Sequence, residues 1–92
     1  MKKAADAKAA SSRNAGAIVD ELVSKLKTQA EKDVAEAVDN GLNKVQLRVY
    51  ERNVEAIHLN QAMSTVVQWL KKLGYRAKYA DHRSHGDITI EW

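Results

Sequence analysis

Residues 81–92 read "DHRSHGDITIEW", and the fold turns on whether Asp81–Asp87 is a site or a turn. Ile88, Ile90 and Trp92 alternate with Thr89 and Glu91, the period-two pattern of a strand with one buried face. "YRAKYA" (75–80) precedes it, so the spacing predicts a hairpin closed by "DHRSHG". A functional reading would take His82 and His85 with Asp87 or Asp81, joined by His58, as ligands of a divalent ion or as acid–base groups. Imidazoles and carboxylates are suitable donors, but structural zinc sites usually include thiolates, and the chain has no cysteine. His-x-x-His on a turn also lacks the facing geometry that i, i+4 spacing gives on a helix. In the turn reading, Asp81 or Ser84 bonds its own backbone, and Gly86 sits where turn chemistry wants glycine. The turn explains more of the residues, so no metal, cofactor or catalytic residue is expected here.

Working back from the hairpin, "LNQAMSTVVQWLKKLG" (59–74) has the helical period. Leu59, Ala62, Met63, Val66, Leu70 and Leu73 form a stripe flanked by Val67 and Trp69. Lys71 and Lys72 suit the negative end of the helix dipole, and Gly74 suits the position just past it. Asn53 and Asn60 are both candidate N-caps, which leaves the start open. Trp69 lies at the edge of the stripe, as core or as a surface anchor, and Trp92 is placed as a lid on the same core. "KVQLRVYE" (44–51) alternates again, with Val45, Leu47 and Val49 on one side and Gln46, Arg48 and Tyr50 on the other. Residues 17–40 return to the helical period through Val19, Leu22, Val23, Leu26, Ala30, Val34 and Ala37, ending at Asn40-Gly41. Asp33 projects towards this apolar stripe, and beyond Leu26 the stripe thins to small side chains.

The expected architecture is therefore two-layer α+β in the order α-β-α-β-β. It has a three-stranded mixed sheet with both helices on one face and a right-handed strand–helix–strand crossover. Residues 15–92 form the single domain. Residues 1–14, alanine, lysine and serine with almost nothing to bury, are expected as a flexible basic arm, with frayed helix over part of it as the alternative.

With 92 residues the core is small. There is no glycine-rich phosphate loop, no nucleophile-elbow pattern and no paired acids in an evident cleft, which argues against an enzyme. The lack of cysteine fits a reducing, cytoplasmic setting, and no apolar run is long enough for a membrane span. The net charge of +3 divides into a basic start (Lys2, Lys3, Lys8 and Arg13), an acidic first helix and a mildly basic remainder.

These features leave two surface functions. In the first, a protein partner or another copy of the chain meets the exposed sheet face or an edge at Gln46, Arg48 and Tyr50. Arg76 and Lys78 join them if the register of the hairpin turns them outward. In the second, nucleic acid is bound by Lys2, Lys3, Lys8 and Arg13 on phosphates, with Arg48, Arg76 and Lys78 as footprint. The first is the main expectation, because four cations are few and the net charge is low. The ending, "WLKKLGY" followed by "ITIEW", resembles small accessory proteins of bacteriophages and prophages. That likeness covers about a third of the chain and implies no site residue.

Overall fold

The structure, a computed structural model, describes residues 4–50, 54–81 and 85–92, with side chains from Asn14 onward. Its elements are α1 (Ala4–Asp39), β1 (Lys44–Val49), α2 (Ala56–Lys72), β2 (Arg76–Asp81) and β3 (Gly86–Glu91). This is the α-β-α-β-β order that the periodicities predict.

Inward-facing residues of the sheet and one stripe of each helix merge into one core. Leu47 and Val49 come from β1, Ile88 and Ile90 from β3. Leu22, Leu26 and Ala30 come from α1, and Leu59, Ala62, Met63, Val66, Val67 and Leu70 from α2. Full burial of side chains such as Leu47, Met63, Ile88 and Ile90 contributes roughly 1.5–3 kcal/mol each relative to exposure. Both helices thus cover the same sheet face. Val19 lies by Ile57 and Gln61, and Ala30 and Val34 lie by Leu70 and Leu73, so the helices run side by side in the same direction.

The sheet differs from expectation in one respect. It is antiparallel throughout, not mixed, because β3 lies between β1 and β2 and pairs antiparallel with each. A mixed sheet needs β1 beside β2. Inserting β3 separates them, and the buried Ile88 and Ile90 take the most enclosed position in the sheet.

Both helices end as the glycines predict. Gly41 (φ 71°) and Gly74 (φ 96°) adopt the left-handed conformation. The Leu42 amide donates to the Ala37 carbonyl at 2.8 Å and the Tyr75 amide to the Leu70 carbonyl at 3.1 Å, the six-to-one bond of a Schellman ending. The starts differ more. α1 begins at Ala4, so residues 4–14, expected as a separate arm, continue the backbone of the helix. Alanine and lysine favour helix strongly enough to carry it through Gly16. α2 begins after Glu55, which is extended and makes no side-chain cap. Asn60 is inside the helix instead, and Asn53 lies outside the described residues.

Asp33 has a local answer. It is half-buried, and its Oδ1 accepts from Gln29 Nε2 at 2.9 Å one helical turn away. Beyond Leu26, α1 keeps contact through Ala30 and Ala37, both buried, which lets the helix lie close against its neighbours. Trp69 is half-buried in the α1–α2 seam with Lys27 Nζ 5.1 Å from its ring centroid. Trp92 packs on the core and meets Tyr75 edge-to-face, with centroids 6.0 Å apart.

Candidate functional site

The outer face of the sheet follows from the register. Lys44 and Arg76 flank Glu91; Gln46 and Lys78 flank Thr89; Arg48 and Ala80 flank Asp87. Since residues paired across strands share a face, Gln46, Arg48, Arg76 and Lys78 lie on one surface opposite the helices, and all four are exposed. Tyr50, just past β1, is 58% exposed. Tyr75 and Tyr79 turn towards the helix side with Ala77, as the alternation requires once Arg76 and Lys78 face out.

The electrostatics are layered. The two outer strands carry the cations Lys44, Arg48, Arg76 and Lys78; the central strand carries the acids Asp87 and Glu91. Lys44 Nζ lies 3.6 Å from Glu91 Oε1, with both side chains solvent-exposed. Such a pair contributes at most about 1 kcal/mol. The face therefore has more cations than acids, and its central row is held by groups that accept hydrogen bonds. A shallow groove of about 180 Å³ lies along Arg76, Ala77, Lys78, Thr89 and Glu91. It is smaller than an ordinary small-molecule pocket, and its shape suits contact with a surface.

The hairpin end takes a different form. Asp81 Oδ2 accepts from Asn60 Nδ2 at 3.2 Å, tying the end of β2 to α2. Gly86 is buried against Met63, so its small size serves packing. His58 is in the first turn of α2, while His85 and Asp87 stand at the start of β3. His82 lies outside the described residues. Among the described residues, no three histidine, aspartate or glutamate side chains come together in a way that could hold a metal ion. An open concavity of about 750 Å³ lies over α2 and is lined by Val19, Ile57, Asn60, Gln61, Ser64, Thr65 and Tyr79. No carboxylate or imidazole lines it, so the acid–base groups named from sequence are not gathered there.

Of the cations assigned to nucleic acid, Lys2 and Lys3 lie outside the described residues, as do the side chains of Lys8 and Arg13. Arg48, Arg76 and Lys78 share the outer face. Lys44, which the sequence reading passed over, belongs with them. Its place as the first residue of an alternating strand, two before Gln46, was the available signal. Among the described residues, no helix is long and apolar enough to cross a membrane. Compared with protein-family models, curated proteins and solved structures, the chain matches none of them.

Proposed function

We propose that the protein is a small, non-enzymatic binding module that meets a protein partner with the outer face of its sheet. The observation that supports this reading is the uncovered surface itself. Three strands present Lys44, Gln46, Arg48, Arg76, Lys78, Asp87, Thr89 and Glu91 side by side, with nothing of the described chain packed over them. Alternating rows of opposite charge fix the register of a partner more than they add raw affinity. The partner that fits carries acids opposite β1 and β2 and hydrogen-bond donors opposite β3. Nucleic acid fits less well, because Asp87 and Glu91 stand in the middle of the surface where phosphates would have to lie.

The test compares the native chain with Arg48→Glu/Arg76→Glu as baits in quantitative affinity capture, beside a mobility-shift assay with single- and double-stranded oligonucleotides. The expected result is a protein enriched by the native bait, depleted at least about tenfold by the double variant, and no oligonucleotide shift. A shift that weakens steeply with salt and disappears in the variant would replace the protein partner with nucleic acid. Identical capture by both baits would remove the sheet face from the function.

A further inference from the structure

Three of the seven large apolar side chains exposed among the described residues stand at the end of the molecule where both helices stop, while Ile18, Tyr50, Ile57 and Tyr79 lie elsewhere. Val38, Leu42 and Leu73 are 54%, 57% and 57% exposed. Leu73 lies beside a groove of about 230 Å³ shared with Val34, Ala35, Trp69 and Tyr75. Val38 continues the α1 face of Val34 and Ala35 by one helical turn. Leu42 precedes Asn43, whose carbonyl accepts from the Trp92 amide at 3.0 Å, and the Trp92 ring touches Tyr75. Val38, Leu42 and Leu73 thus stand at the same end of the molecule, around the Trp92–Tyr75 contact.

Its rim is charged in an uneven way. The last turns of α1 carry Glu36 and Asp39 and no basic residue. Both acids sit against the negative pole of their own helix, where a cation is the favourable neighbour. The last turn of α2 carries Lys71 and Lys72. Because the helices are parallel, the acidic end of α1 and the basic end of α2 lie at the same end of the molecule, with Val34 and Leu73 lining the groove between the helices.

That arrangement is self-complementary, and the geometry points to a second copy of this chain as the occupant. A two-fold axis perpendicular to the sheet at this end sets each α1 terminus against the α2 terminus of the other copy. Glu36 and Asp39 then face Lys71 and Lys72 twice over, and Val38, Leu42 and Leu73 are covered. The contact is isologous and closes as a dimer. The two shorter extents of the whole molecule are 26 and 17 Å, an upper limit for this end that confines the buried area to the small, transient class of interface. The dimer is weak, and it leaves the outer sheet face open.

Sedimentation velocity from micromolar to near-millimolar concentration tests this. A monomer–dimer equilibrium is expected, weakened by salt and by at least about tenfold in Leu73→Glu. The decisive comparison uses two charge-reversed chains, Lys71→Glu/Lys72→Glu and Glu36→Lys/Asp39→Lys. Each alone should stay monomeric, and an equimolar mixture should form heterodimers, with circular dichroism confirming that both fold. Arg48→Glu/Arg76→Glu should dimerise like the native chain, which separates this contact from the sheet-face reading. A native chain monomeric at every concentration overturns the proposal. So does a mixture that fails to pair, or association abolished by Arg48→Glu/Arg76→Glu but untouched by Leu73→Glu.

Discussion

A Cβ built on Gly86 would lie 2.5 Å from Met63 Sδ and 2.7 Å from its Cε, with the Ala80 carbonyl oxygen at 3.3 Å. Met63 is fully buried, so its flexible end can move only by repacking against its core neighbours. Gly86→Ala is expected to destabilise the fold by about 1–3 kcal/mol through overpacking, read as a lower midpoint in urea denaturation. Combined with Met63→Ala, which vacates the same space, the cost should fall below the sum of the two single changes. Additive costs would show that the two residues do not compete for one volume. In the sequence Gly86 reads as a turn residue, because the side chain that restricts it belongs to another element and no local pattern records the contact. Asn60 is similar. Its spacing allowed a helix cap, whereas its amide bonds Asp81 across the molecule.

At the level of elements, periodicity gave the faces correctly and left the neighbours open. Val45/Leu47/Val49 and Ile88/Ile90/Trp92 announced which side of each strand is buried. Alternation carries no information about which strand lies beside which, so β3's central position was not legible. The outer site was half-legible for the same reason: Gln46 and Arg48 followed from β1 alone, while Arg76 and Lys78 waited on the β2–β3 register. The start of α1 was missed because "SSRNAG" (11–16) has the composition of a loop, yet the helix runs through it. Gly16 is exposed, and an added Cβ there meets nothing within 4 Å. Gly16→Ala should therefore stabilise α1 by about 0.5–1 kcal/mol, seen as a raised thermal midpoint with stronger helical dichroism. A lowered midpoint would mean that this turn of the helix is not formed in solution.

For the whole molecule, the radius of gyration of 15.5 Å exceeds the roughly 12 Å of a compact domain of this length. The excess comes from α1, whose 36 residues reach about 54 Å, against about 25 Å for α2. Since the two helices stop together, the overhang lies at the start of α1. Among the described residues, core contacts on that helix begin at Val19. Removing residues 1–13 is therefore expected to leave the urea midpoint nearly unchanged while reducing helical dichroism. A large loss of stability would reveal that the overhang packs on the body. The sheet order has a consequence of another kind. β1 and β2 bond only to β3, which the ribosome makes after both of them. Until Gly86–Glu91 emerges, the nascent polypeptide holds two ribbons with no shared mate, and the apolar side of β1, with Leu47 and Val49, lacks its central neighbour, an interval when chaperones have most to protect.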